Sequence, residues 1–240
     1  MISKLRKISK AINSIDKIHR SNDDAYALQI IHKLFPEYCF LPFTPFSLNP
    51  YTILHILNDI LLNERRQIIE FGGGLSSIII SRFLKINKLN ANIVSFDNNI
   101  EWQNIIAKET KKYECDEYLT QIHCPIQPVK NQDFICYDNR TWYDDEKIAE
   151  YLQQLKTKID VVIVDGPSTS TSEYLRYPAV PSLKNKLAES AIIFLDDTKR
   201  LGEQEILKQW NIAIKGELKF EKMYGTITIG KRFSTRPLSH

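Results

Sequence analysis

Three glycines in a row, Gly72-Gly73-Gly74, separate the apolar run Gln67-Ile68-Ile69-Glu70-Phe71 from a helical pattern that extends from Ser76 to about residue 86. A strand, a glycine turn and a helix in that order open a crossover to a parallel neighbour. The glycines let the backbone reverse within a few residues, and the helix then covers the sheet. The alternation continues downstream. Residues 92–96 read as a second strand closed by Asp97, with a helix from about Asn99. Residues 119–124 suggest a third strand, and 144–155 have helical periodicity. Ile159–Val164 is an unbroken, largely β-branched run, as expected of a strand buried on both faces, and 191–195 is another. A helix over about 204–214 precedes two last strand candidates, 218–223 and 226–229. Only Tyr224 and Gly225 separate these two, which predicts an antiparallel hairpin at the sheet edge. The fold class expected is therefore α/β, with a doubly wound, mostly parallel sheet ending in a C-terminal antiparallel hairpin.

The N-terminal part reads differently. Ile2, Leu5, Ile8, Ile12 and Ile15 recur at helical spacing, with Lys4, Lys7, Lys10 and Lys17 between them. That stripe fits a helix on a membrane surface, a helix against a partner subunit, or a cover helix with a solvated basic side. A second helical pattern covers about 23–34, and Pro36, Pro42 and Pro45 then mark an extended connector. Asn49-Pro50 starts the next helix, with Asn as N-cap and Pro at the first helical position. We therefore divide the chain into a helical extension, 1–48, and a ligand-binding domain, 49–240.

In doubly wound sheets, ligands bind beyond the carboxyl ends of the strands, near the point where strand order reverses. The polar clusters fall there. Gly72, Gly73 and Gly74 allow close approach of backbone to a ligand, and Ser76 stands at the start of the helix, whose free N–H groups face the same way. Glu70, just before the glycines, would repel a pyrophosphate but suits a cationic ligand. Asp97, at the next strand's end, stands where an acid can accept both hydroxyls of an adenosine ribose.

Glu70-x-Gly72-x-Gly74 followed by Asp97 resembles the cofactor signature of class I S-adenosylmethionine-dependent methyltransferases. Val164-Asp165-Gly166-Pro167, Arg176-Tyr177-Pro178-Ala179 and Leu195-Asp196-Asp197 are similar to the small-molecule branch of that family. The resemblance covers about 50–231. It implies a Rossmann-like methyltransferase fold, with S-adenosylmethionine held by Glu70 and the glycine loop at its methionine end and by Asp97 at its ribose. It further implies that His123 and Cys124 stand near the adenine. Ser77 replaces the third glycine of dinucleotide folds, which argues against a nicotinamide-dependent oxidoreductase, the nearest alternative enzyme. A non-catalytic binding protein on the same fold is the alternative outside enzymes.

Asp165, Asp196 and Asp197 close two strands expected to be neighbours. Carboxylates brought together repel each other unless protonated or bridged by a cation, and hard oxygen ligands suit magnesium or manganese. Catechol-type O-methyltransferases are similar here, but they carry an amide where this chain has Asp197. The metal-free alternative has Asp165 contacting cofactor or substrate while Asp196 and Asp197 cap the following segment. Asp165 is also the leading catalytic carboxylate, because an acceptor hydroxyl must lose a proton, with His123, Asp196 and Lys199 as other candidates for the base. Trp142-Tyr143 and Tyr174-Tyr177 are candidates to line an acceptor site. The polar stretch 167–172 has the composition of a lid.

A net charge of +3 over 240 residues is no nucleic-acid footprint, and no apolar run reaches the length of a membrane span. Cys39, Cys115, Cys124 and Cys136 show neither disulfide nor zinc spacing, which points to reduced thiols and a cytoplasmic setting. The partners expected are a small-molecule acceptor and, through the N-terminal stripe, a second copy in a homodimer, with no nucleic acid and no stable membrane insertion.

Overall fold

The computed structural model describes residues 18–168, 172–230 and 232–239. The stripe from Ile2 to Ile15 lies outside them, as do residues 169–171 of the polar stretch read as a lid. The first described helix, α1, covers 18–32 and leads through the proline connector to α2 (Pro50–Leu62). Asn49 caps α2 as expected: its Oδ1 accepts from the Thr52 N–H at 2.8 Å, with proline at the first helical position.

The alternation then unfolds as β1 (Gln67–Phe71), α3 (Leu75–Ile86), β2 (Asn92–Asp97), α4 (Ile100–Lys112) and β3 (Leu119–His123). A two-stranded antiparallel ribbon follows, β4 (Ile126–Pro128) and β5 (Thr141–Tyr143), and then α5 (Asp145–Gln154) and β6 (Ile159–Val164). The chain continues as α6 (Ala179–Leu183), β7 (Leu187–Leu195), α7 (Leu201–Ile214), β8 (Glu217–Phe220) and β9 (Gly225–Ile229). Seven strands form the main sheet in the order β3-β2-β1-β6-β7-β9-β8. The pairs among β3, β2, β1, β6 and β7 are parallel, whereas β7–β9 and β9–β8 are antiparallel. This is a Rossmann-like methyltransferase architecture with its antiparallel hairpin at one edge.

Strand alternation divides the core into two layers. Ile68, Ile93, Val161, Ile163, Ile192 and Phe194 face one side, where they pack with apolar residues of α1 to α4. Ile69, Phe71, Val94, Val162, Val164 and Leu195 face the other, against α5, α6 and α7. Ile31, Phe35, Leu41 and Leu48 of the N-terminal extension belong to the first layer.

The hairpin differs in detail from its sequence reading. Its connection is four residues, 221–224, closed by the Glu221 N–H to the Tyr224 carbonyl at 2.8 Å. Tyr224, the last residue of that connection, is buried against His55 and Phe194. Gly225 is not a turn residue but pairs with Phe220 as the first residue of β9, where a Cβ would lie 2.3 Å from Leu207 Cδ2. Strand β7 begins four residues earlier than its apolar run, since Leu187 already pairs with Ile159 across an irregularity in the register.

Candidate active site

The sheet's first half winds from β1 toward β3 and its second from β6 outward, so strand order reverses between β1 and β6. A cleft of about 580 Å³ opens over the carboxyl ends there, walled by Gly72, Gly73, Asp97, Asp165, Asp196 and Asp197. That size suits a small-molecule ligand. Thr44 to Ser47 of the proline connector also line the cleft, and Phe46 is exposed.

Two of the three glycines are sterically required. Gly72 has φ +88°, in the left-handed region, and a Cβ on it would lie 2.4 Å from the Gly166 nitrogen. A Cβ on Gly73 would lie 2.3 Å from Ser95 Oγ, whereas one on Gly74 meets only Trp102 Nε1 at 4.0 Å. The Gly72 N–H donates to the Phe96 carbonyl at 2.9 Å, and the Gly74 N–H to Ser77 Oγ at 3.1 Å.

Glu70 lies beneath this loop, fully buried and outside the cleft wall. Its Oε1 accepts from the Ser76 hydroxyl at 2.5 Å, and its Oε2 accepts from the Ser77 hydroxyl. Burial pushes its pKa up to about 7, against the pull of those hydroxyls. Ser76 therefore serves Glu70 in this structure and does not itself reach the cleft.

Asp97 sits at the cleft with its Oδ1 accepting from the Asn99 N–H at 2.7 Å. Burial raises its pKa, while the backbone N–H groups of Asn99, Gly73 and Asn98 pull it down. His123 pairs with Asp97 across β2 and β3, and its Nε2 lies 3.1 Å from the Asn98 carbonyl. Cys124 is fully buried, its thiol donating to the Asp144 carbonyl at 3.2 Å, and burial pushes its pKa up to about 12. On this side the cleft is therefore bordered by Asp97 and Asn98 at the end of β2, and not by the His123 or Cys124 side chains at the end of β3.

The structure brings Asp165, Asp196 and Asp197 together: one carboxylate oxygen from each lies within 4.8 Å of the others. Asp197 has φ +61°, which an aspartate adopts more readily than most residues. Burial pushes Asp165 up to about 7, opposed by the Arg176 guanidinium and reinforced by the charges of Asp197 and Glu70. Asp196 is raised well above the usual carboxylate range, by burial first and its acidic neighbours second. Its Oδ1 is buried without a hydrogen-bond partner.

The sequence reading gave no role to Arg176. Its side chain is 4% exposed and lies among the acids, 3.5 Å from Asp165 and 3.3 Å from Asp197. It also donates to the Asp165, Asp196 and Pro167 carbonyls. Arg200 pairs with Asp197 at 3.0 Å and with Glu203 at 3.5 Å. Buried acids need counter-charge, and an arginine between the two strand-end motifs was the available signal.

No curated protein matches the chain significantly. Among solved structures it is similar to the S-adenosylhomocysteine-bound methyltransferase PaMTH1 of Podospora anserina, at 12% identity and TM-score 0.55. That match covers 92% of this chain and 96% of the other. A precorrin-6Y C5,15-methyltransferase of Geobacter metallireducens aligns over 81% of this chain and 96% of its own, at 13% identity and TM-score 0.54. An O-methyltransferase of Bacillus cereus, in complex with S-adenosylhomocysteine, aligns over 87% and 91% at 13% identity and TM-score 0.50. At such identities these likenesses show the fold. A family model described as a methyltransferase domain matches residues 69–198, more than half of the chain. That span runs from the strand before the glycine loop past Asp197, and by it this chain belongs to the methyltransferase-domain family.

Proposed function

We propose that the protein transfers a methyl group from S-adenosylmethionine to an oxygen atom of a small molecule. The observation that carries this reading is the meeting of the glycine loop, Asp97 and the acid cluster in one cleft at the strand-order switch. Gly72 and Gly73 pack tightly on Gly166 and Ser95 and still line the cleft, so a nucleoside cofactor would meet loop backbone there. Asp97 accepts the ribose hydroxyls, and the backbone of the loop borders the methionine end. Glu70 lends negative charge from below, suiting an ammonium and a sulfonium.

When bound, S-adenosylmethionine supplies a methyl group on a positively charged sulfur. The remaining tasks are alignment and proton removal. Asp165, with its pKa pushed to about 7, is matched to take the proton of an acceptor hydroxyl near neutrality. Arg176 fixes the carboxylates around it. A second reading is favoured by the unpartnered Asp196 Oδ1. The donor set of Asp165, Asp196 and Asp197 fits magnesium or manganese, which would acidify the hydroxyl, with Arg176 as the competing cation.

Several observations support the remaining parts of the proposal. Residues 49–240 form the catalytic domain, and 1–48 a helical extension that supplies a cleft wall at Thr44 to Ser47. All four cysteines are free thiols, and no helix among the described residues is long and apolar enough to cross a membrane. We take the setting to be cytoplasmic and, from the apolar stripe Ile2 to Ile15 in the sequence alone, the assembly to be a homodimer.

Calorimetry with S-adenosylmethionine tests the cofactor, and absence of binding overturns the reading. Turnover on a panel of hydroxylated metabolites, read by mass spectrometry, separates an enzyme from a binder. Activity that survives exhaustive EDTA, with no gain from added magnesium or manganese, removes the metal and leaves Asp165 as the base.

A further inference from the structure

Tyr143 ends β5, the inner strand of the small ribbon beside the main sheet. Its ring stacks on Phe71 at 6.0 Å between centroids with planes 18° apart, and Trp142 packs across it. The residue is 2% exposed, yet its hydroxyl has no hydrogen-bond partner. Leaving such a group unpaired costs on the order of 1–3 kcal/mol, so an oxygen held in place without a partner calls for one.

The hydroxyl's location indicates what that partner is. Tyr143 lines the cleft. A Cβ on Gly166 would lie 2.4 Å from the Tyr143 oxygen, and Gly166 itself abuts Gly72. The oxygen therefore stands over the junction of β1 and β6, where strand order reverses. Asp97, on the ribose side, and Asp165 with Arg176, on the reaction side, all act on it electrostatically. It is thus between the two groups of residues assigned above to the two ends of the reaction centre.

Resting on the reading that S-adenosylmethionine occupies this cleft, we propose that the Tyr143 hydroxyl oxygen is a direct contact of the cofactor, placed at its charged sulfur where nucleoside and methionine halves join. Burial keeps the phenol protonated, so the oxygen offers lone pairs and no competing negative charge. A sulfonium attracts those lone pairs; the neutral thioether left after methyl transfer attracts them less. Tyr143 would then favour cofactor over product.

Tyr143→Phe removes one oxygen and leaves the clamped ring, so folding is not at stake. Calorimetry on the full chain should show the S-adenosylmethionine Kd rising roughly five- to tenfold, the loss of one hydrogen-bond-strength contact. The S-adenosylhomocysteine Kd should change less than twofold, and the melting temperature without ligand should not fall. An unchanged S-adenosylmethionine Kd, as expected if the hydroxyl only holds a water, overturns the proposal. So does a loss equal for both ligands. If the unsubstituted protein binds neither ligand, the functional reading itself has failed.

Discussion

Single residues carry the sharpest tests. Glu70 is buried with its pKa raised from 4.5 to about 7. Between those values the folded protein holds a proton that the unfolded chain has released, so stability falls as pH rises through that window. The Asp165 carboxyl, also raised to about 7, acts in the same sense. The unliganded protein should therefore melt at a higher temperature at pH 5 than at pH 8, and Glu70→Gln should narrow that gap. Cofactor affinity should move oppositely, rising from pH 6 to 8 as the carboxylates ionise beneath a cation; calorimetry across pH checks it. In the glycine loop, Gly72→Ala should abolish binding or folding, while Gly74→Ala should leave the melting temperature close to that of wild type, since a Cβ on Gly72 is blocked and one on Gly74 is not. Asp97→Ala should weaken binding by about 1.5–3 kcal/mol, the loss of hydrogen bonds to a charged acceptor, and isothermal titration reads it directly.

At the scale of elements, residues 18–48 contribute apolar side chains to the core of the main sheet. Ile31 is fully buried in the core layer shared with α2 and α3. Ile31→Ala should cost about 2–5 kcal/mol, measured by denaturant unfolding. A chain starting at residue 49 should lose cooperative unfolding altogether. The main strands were legible in the sequence because parallel strands covered on both faces are written as apolar runs, as Ile159–Val164 shows. The ribbon was not, because three-residue strands such as Ile126–Pro128 leave no periodicity to detect. Asp165, Asp196 and Asp197 were predictable as strand-end acids. Arg176 was not assigned, because its partners come from separate strand ends and from α7, and adjacency across loops is a property of packing. Ser76 and Ser77 likewise could be seen beside the glycines, but not their bonds back to Glu70.

For the whole molecule, the proposed homodimer should appear as twice the monomer mass in light scattering, reverting to monomer in a chain lacking residues 1–17. A full-length monomer would refute it. The sheet's far side carries a feature with a different consequence. Asp59, buried on α2, pairs with Arg65 at 2.7 Å and Arg232 at 3.2 Å, and accepts from the Thr235 hydroxyl at 2.8 Å. His55 Nε2 lies 3.1 Å from that same hydroxyl, and the Tyr51 hydroxyl donates to the Pro237 carbonyl at 2.9 Å. Thr235 follows Asp59 by 176 positions. During synthesis, then, α2 emerges from the ribosome long before the residues that complete its polar interior. Until those residues arrive, Asp59 has Arg65 but not Arg232 or Thr235, and His55 has neither Tyr224 nor Thr235. Native docking of α2 is thereby tied to the arrival of Thr235, and a ribosome stalled before it would display α2 with Asp59 and His55 still lacking their shared hydroxyl.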